Sequence, residues 1–458
     1  METETKIKTI SVAGFPSIVF CRISTGLCIL LFLIVLIGAV SIPFVFESQS
    51  ILYKFGINKI MLRVGKILGI TAALLILVQV VFSARLKILD RTIALDRLYS
   101  FHRVNAILIT ALILLHPILV LISEGLTNIS FDLRSWPEMV GVLLLLLLLS
   151  IAVTGVWRLK LNLSFDRWLS IHRLATSAVV LMLGLHVLYV SDTFKQPIPR
   201  LSVLVVCGVY FSVLAWIKIK AKLLRAKPWI VKGVTALNKD TFNVELSPVK
   251  EIAFSYFPGQ FAFLSFASQG ISAEEHPFTI SSTPTRPDTL SFTVRSCGDW
   301  TQKIEELKVG DNAFVDGPYG KFSFLNDKNC DIVMIAGGIG ITPMLSMLRY
   351  MADTDETRNI TLIWSNRTKQ HVICEDELNK LKNCLPGFRF IHIFTRESTE
   401  GGGGRRLDQI QLQTFLKDCD RRAAVFLCGP LPLMQNVRNW LAKLGFVRKN
   451  IHWEKFSL

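Results

Sequence analysis

Two pairs of histidines, His102/His116 and His172/His186, stand at the same spacing inside two separate apolar stretches. Along an α-helix the fourteen residues between partners rise about 21 Å and end roughly 40° short of whole turns. Each pair therefore presents two imidazoles on nearly one face, one toward each side of a hydrocarbon layer about 30 Å thick. Ionisable groups at that depth are costly and have functional partners, and neutral imidazole is a common ligand of haem iron. Two helices carrying the same ruler read as a four-point mount for two stacked bis-histidine haems. A lone intramembrane histidine more often bonds a neighbouring helix or serves a proton relay; the repeated spacing is what favours ligation. Arg103 and Arg173 directly follow the first histidine of each pair and suit either haem propionates or membrane anchoring.

These histidines need spanning helices to hold them. The chain has 458 residues, 51% of them hydrophobic and nine of them cysteine, with a net charge of +16. Before residue 225 long runs of Leu, Ile and Val dominate; after it the composition is that of a soluble protein. Hydropathy predicts six spans near 27–46, 62–82, 101–123, 138–157, 172–191 and 201–217. The stretch near 27–46 is too long for a signal-peptide core. The basic residues cluster beside spans (85–103, 158–173, 218–227), which marks a cytoplasmic side and argues against nucleic acid. Lys54, Lys59 and Arg63 in the first outer loop run against that rule. With both termini inside, the third and fifth spans run outward in parallel, pairing His102 with His172 at the inner leaflet and His116 with His186 at the outer. The scattered cysteines form no C-x-x-C and indicate neither a disulfide framework nor zinc.

The second half carries three further constellations. Ile230–Leu237, a turn at Asn238–Asp240 and Thr241–Leu246 read as a β-hairpin, and short strands continue through Phe324 as a small antiparallel barrel. Within it, His276-Pro277-Phe278-Thr279 with Ser281 and Ser282 offers a rigid strand and hydroxyls suited to a flavin edge and ribityl chain. Arg295, Ser296, Gly298, Trp300 and Thr301 offer a cation, donors and close approach for a pyrophosphate, or simply a strand-to-helix turn capped by Thr301. From Asp331 strands, glycine loops and helices alternate as in a parallel α/β sheet. There Gly337, Gly338, Gly340, Thr342 and Pro343 join an apolar strand to a helix, the setting in which glycines admit a dinucleotide pyrophosphate. After the next strand Ser365 and Arg367, with Arg396 as a second cation, suit a 2′-phosphate and so NADPH over NADH. Arg405 and Arg406 suit an anion or, more simply, a solvated face. Cys428-Gly429-Pro430 follows a later strand, where a bare cysteine is most often a small buried hydrophobe. Near the C-terminus stands Glu454-Lys455-Phe456, followed by Ser457 and Leu458.

His102-Arg103 and His172-Arg173, each with a second histidine fourteen residues on, resemble the membrane core of the ferric reductase and NADPH oxidase family. The H-P-F-T, G-D-W-T, glycine-turn, C-G-P and terminal E-x-F segments resemble its dehydrogenase. The resemblance extends over essentially the whole chain. It implies a multi-domain membrane protein: a six-helix all-α bundle with two b-type haems (1–225), an antiparallel β-barrel FAD domain (226–327) and a parallel α/β NAD(P)H domain (328–458). It also implies Cys428 beside the nicotinamide and Phe456 over the flavin. The expected activity is electron transfer from cytoplasmic NADPH through FAD and the haems to an outer acceptor, at a plasma membrane or bacterial inner membrane. Oxygen, giving superoxide, is favoured over a ferric chelate because the short outer loops carry no His, Cys or carboxylate cluster. Val120 stands where animal oxidases have an additional histidine, a departure that weighs against oxygen. Other classes remain: a proton channel or transporter using the histidines, or a subunit serving an outer protein partner.

Overall fold

The computed structural model describes residues 18–48, 55–124, 132, 135–158, 160–225, 228–250, 254–268, 270–286, 288–327, 330–397, 404 and 406–455. The chain divides into two compact units, Ile18–Lys220 and the part from Ala221 on.

The first unit is helical. It comprises α1 (Ile18–Val45), α2 (Gly56–Ser83), α3 (Lys87–Ile93), α4 (Leu95–Glu124), α5 (Trp136–Trp157), α6 (Phe165–Val190) and α7 (Pro197–Arg225). Six of these, all but α3, are long and apolar enough to cross a membrane. Three begin well before their hydropathy maxima or run beyond them: α4 starts at Leu95, α6 at Phe165, and α7 continues through Lys218–Arg225. Backbone hydrogen bonding continues where polarity rises, because long cationic side chains keep their charge at the interface while their stems stay on the helix. The opposing cations of the first loop are partly neutralised, since Lys59 (3.2 Å) and Arg63 both pair with Glu47. Lys54 lies outside the described residues. Helix α4 packs chiefly on α2, and α6 on α5. Ile76, Ile109, Leu144 and Val179, one from each of these four helices, meet in a buried apolar cluster.

The second unit holds two sheets. The first is antiparallel: β1 (Trp229–Asn238), β2 (Thr241–Pro248), β3 (Phe261–Ala267), β4 (His276–Thr279), β5 (Leu290–Arg295) and β6 (Asn312–Tyr319), in the order β4-β3-β6-β1-β2-β5. The β1–β2 hairpin turns at residues 239 and 240, as its sequence predicts. Its edge strands meet only at an isolated bridge, Ile280–Phe292, so the barrel stays incompletely closed. Val231, Val244, Leu264, Ile280 and Phe292 fill its interior at zero exposure. A short α8 (Asp299–Gln302) follows β5.

The second sheet is wholly parallel, in the order β11-β10-β7-β8-β9. Its strands are β7 (Ile332–Gly337), β8 (Ile360–Asn366), β9 (Phe388–Phe394), β10 (Ala424–Cys428) and β11 (Ile451–Glu454), and its helices are α9 (Thr342–Asp353), α10 (Glu375–Cys384), α11 (Gln409–Phe415) and α12 (Leu431–Lys443). One face packs Met334 and Leu362 against α9; the other packs Val333 and Ile335 against α11 and α12. Burial on both faces explains the near-continuous apolar runs of these strands. The chain reverses its direction of strand addition between β7 and β10, and that crevice beyond the carboxyl ends is where such sheets bind ligands.

Candidate functional site: a histidine ladder and a dinucleotide cleft

In the helical unit His102 lies seven residues after Leu95, the start of α4, and His172 seven after Phe165, the start of α6. The equal offsets bring equivalent faces together: the His102 and His172 rings sit 6.4 Å apart between centroids, at 58°. His116 and His186 lie within electrostatic reach of each other, one layer along. The apolar cluster of Ile76, Ile109, Leu144 and Val179 separates the two layers.

The second ring nitrogens are informative. His116 Nδ1 donates to the Gly65 carbonyl at 2.8 Å, His186 Nδ1 to Pro137 at 2.9 Å and His102 Nδ1 to Gln79 at 3.3 Å. A carbonyl only accepts, so the proton sits on Nδ1 and the Nε2 lone pair is left for a metal. This is the arrangement by which metal-ligating histidines are oriented. His172 Nδ1 is buried without a hydrogen-bond partner among the described residues, and its ring lies 5.1 Å from Trp168. Space is cleared by glycine: a Cβ on Gly69 would stand 2.9 Å from His116 Nδ1, and one on Gly141 2.6 Å from His186 Cε1. Among the described residues no cluster of three or more His, Cys, Asp or Glu could hold a metal; a two-histidine axial mount calls for none. Arg103 is exposed and bonds Ser100 at 3.2 Å.

In the second unit a cleft of about 700 Å³ opens at the crevice between β7 and β10. It is lined by Gly337, Gly338, Ser365, Arg367, Gly429 and Pro430, all read from the sequence as nucleotide contacts. Gly340 is fully packed: a Cβ there would meet the Cys428 carbonyl carbon at 2.6 Å and Gly429 N at 2.9 Å. Thr342 and Pro343 open α9 and are buried; Thr342 is turned back to the Ile339 carbonyl at 3.2 Å. Arg396 is not among the lining residues; Thr395 and Arg406 are. Arg406, which the sequence suggested chiefly as a solvated face, thus lines the cleft, and Arg405 lies outside the described residues. Asn366 was also missed: it is 4% exposed, lines the cleft, and the oxygen and nitrogen of its side-chain amide lack a partner among the described residues.

The flavin-side residues divide. His276 and Phe278 lie against Trp300, at 4.3 and 5.7 Å between centroids, and Trp300 is itself buried with its indole N–H on the Ser272 carbonyl. His276 also meets Glu274 at 3.0 Å. Ser281 and Ser282 are not available as expected, because their hydroxyls are spent inside the sheet. Ser281 Oγ donates to Ser291 O at 3.0 Å, and Ser282 Oγ bonds Tyr256 at 2.8 Å. Thr279 is the hydroxyl of the motif left uncommitted among the described residues, and His276, Pro277 and Phe278 are half-buried. A strand with one free hydroxyl and a half-open aromatic edge fits a flat ring system.

The Arg295 segment also differs from expectation. Arg295 lines the dinucleotide cleft beside Gly338 and is paired with Asp240 at 2.9 Å. Ser296 N donates to Asp240 O at 2.7 Å. Thr301 Oγ1 closes a local turn, accepting from Cys297 N and donating to Gly298 O, but it sits inside α8, whose N-cap is Gly298 without a side-chain cap bond. Gly298 has extended backbone (φ −174°), and its Cβ position is 4.0 Å from Thr301, so glycine is not required there. Cys428 is fully buried, and burial, then Glu454, pushes its thiol well above the ordinary range. It is therefore a neutral support for the glycine turn. We expect iodoacetamide at pH 8 to modify exposed Cys297 while sparing Cys428, read by peptide mass spectrometry. Phe456 lies outside the described residues.

Residues 68–183 match the ferric reductase like transmembrane component, 228–323 an FAD-binding domain and 334–439 an oxidoreductase NAD-binding domain. The chain has the architecture of the NADPH oxidase and ferric reductase family. It is a multi-pass membrane oxidoreductase with FAD- and NAD-binding domains. Similar curated proteins include the glycine betaine monooxygenase reductase subunit of Chromohalobacter salexigens, 34% identical over 45% of this chain and 57% of its own length. The propane 2-monooxygenase reductase component of Rhodococcus jostii is 28% identical over 50% of this chain and 62% of its own. This chain thus spans about three fifths of each relative. The flavohaem-like FAD/NAD-binding domain of a Vibrio cholerae nitric oxide dioxygenase covers 50% of this chain and 98% of its own, at 20% identity and a TM-score of 0.45.

Proposed function

We propose that this protein carries electrons from cytoplasmic NADPH through FAD and two b-type haems to an acceptor across the membrane, most simply oxygen giving superoxide. The observation that carries the reading is the two-layer histidine set, three of whose Nδ1–H groups are fixed by backbone carbonyls. The division of labour follows boundaries near 225 and 327. When bound, the nicotinamide supplies a hydride, the flavin converts it to single electrons and haem iron accepts them one at a time.

The residues bind, orient and insulate. His102 with His172, and His116 with His186, would hold the two haem irons through their Nε2 atoms, and Gly69 and Gly141 keep the second layer open. The Ile76–Val179 cluster keeps water and polar groups from between the layers. His276–Thr279 forms the flavin edge. The glycine turn and Cys428–Pro430 cradle the dinucleotide, with Asn366 at its adenosine end. No residue is assigned as acid or base, because hydride transfer moves no separate proton.

Arg367 and Arg406 both line the cleft near Ser365 and suit a 2′-phosphate. A charge-assisted bond contributes about 1.5–3 kcal/mol, so Arg367→Ala and Arg406→Ala are each expected to lower kcat/KM for NADPH by roughly 10–100-fold. NADH kinetics should change little; equal losses with both nucleotides would remove the assignment. Purified protein given NADPH with oxygen or ferric chelate, with and without superoxide dismutase, tests the acceptor. Dismutase-sensitive reduction supports oxygen, whereas dismutase-insensitive iron reduction supports the ferric reductase reading, toward which Val120 points.

A further inference from the structure

The flavin-side strand and the nucleotide-side helix are bonded together by charged and polar groups that no binding role requires. Ser346, Arg349 and Asp353 lie on one face of α9, the helix that starts at the glycine turn. Ser346 Oγ donates to Ser282 O at 2.8 Å, and Arg349 Nη1 to Ser281 O at 2.5 Å. The Asp353 carboxylate accepts from Thr283 at 2.8 Å and Thr285 at 2.5 Å. The rest of the Arg349 fork is bidentate with Glu377 on α10, at 2.6 and 2.7 Å. Burial pushes the Glu377 carboxyl up, but its bonds to Arg349 outweigh that and hold it below its usual range. The segment is gripped from the barrel side too, by Ser291 and Tyr256. Close packing continues at Gly259 (φ +94°), where a Cβ would stand 2.5 Å from the Met347 methyl.

A half-buried ion pair is weak evidence for stability, since apolar replacements of both partners are often neutral, whereas removing one partner is costly. What this pair adds is a fixed register between Ser281–Ser282, two residues beyond Thr279, and α9, which begins at the nucleotide turn. Hydride transfer is steeply sensitive to register: a misplacement of about 1 Å costs roughly 100-fold. We propose that Arg349, supported by Ser346 and Asp353, is a positioning residue that locks the flavin strand to the nucleotide helix, so that a nucleotide at the glycine turn also orders residues 280–285. This rests on the functional reading above. In the positioned step the dihydronicotinamide loses a hydride and is oxidised, and the flavin gains those two electrons and is reduced.

The test uses the full-length protein with FAD bound. Hydrogen–deuterium exchange of residues 280–285 is read with and without NADP⁺, which needs no turnover. Anaerobic stopped flow measures flavin bleaching across NADPH concentrations. Wild type should show NADP⁺-dependent protection of the segment. Arg349→Met should lose it and bleach at least about tenfold more slowly at saturation, with half-saturation within about threefold of wild type. Arg349→Lys keeps the charge without the fork and should recover only part. Ser346→Ala uncovers no charge and should slow bleaching about threefold; it alone decides if Arg349→Met does not retain FAD. Wild-type rate and protection in the variants would overturn the proposal. So would a rate loss that merely tracks NADPH affinity, or wild type without NADP⁺-dependent protection. Failure of NADPH and NADH to bleach the wild-type flavin would instead count against the functional reading, because the exchange measurement reports the coupling independently.

Discussion

Replacing His172 with alanine is expected to remove one of the two haems, halving the b-type absorbance per flavin, and to stop reduction across the membrane. NADPH should still bleach the flavin, because no residue that lines the cleft lies on α6. His172 is the sensitive member of its pair: its Nδ1 has no carbonyl to steady it, unlike those of His102, His116 and His186. An axial nitrogen has no substitute nearby, since no further His, Cys or carboxylate gathers there among the described residues. Haem content would be read by pyridine haemochrome, and unchanged content in a folded variant would defeat the ligand assignment.

The second large effect needs no change of ligand. A Cβ on Gly141 would lie 2.6 Å from His186 Cε1 and 2.9 Å from Nδ1. Protein interiors do not compress to such distances, so Gly141→Ala must displace the ring and strain its 2.9 Å bond to the Pro137 carbonyl. Loss of such orienting contacts typically weakens metal binding by about 10–100-fold. The haem on His116 and His186 should therefore be depleted while the other remains, and electrons should stall at the retained one. Gly69→Ala, against His116, should act in the same direction. Full retention of both haems with wild-type spectra would show that these glycines serve only helix packing.

Much of this was legible in the sequence because it depends on period and spacing. Six apolar runs gave six helices, and a repeated fourteen-residue interval gave two histidine layers. The β1–β2 hairpin, the glycine turn at β7 and the Cys428–Pro430 turn at β10 appeared where strand patterning and turn residues placed them. Helix ends were not legible, since α4, α6 and α7 extend into charged sequence that hydropathy discounts. Residues whose role depends on distant chain were also hidden. Arg406 and Asn366 reach the cleft only through loop and strand geometry. Ser281 and Ser282 resemble flavin donors until their partners Ser291 and Tyr256 are seen. Gly69 and Gly141 look like ordinary helix glycines until the imidazoles across from them are in place. Arg396 follows Thr395, which lines the cleft, but does not line it itself, whereas Arg406 does.

The proposed function turns on electrons crossing the membrane through the paired histidines. Proteoliposomes enclosing ferricyanide, with NADPH supplied only outside under anaerobic conditions, test it most directly. Enclosed ferricyanide should be reduced at two ferric ions per NADPH, and His172→Ala should abolish this while flavin bleaching persists. Bleaching in wild type without reduction of the enclosed ferricyanide, or equal reduction by His172→Ala, would contradict it.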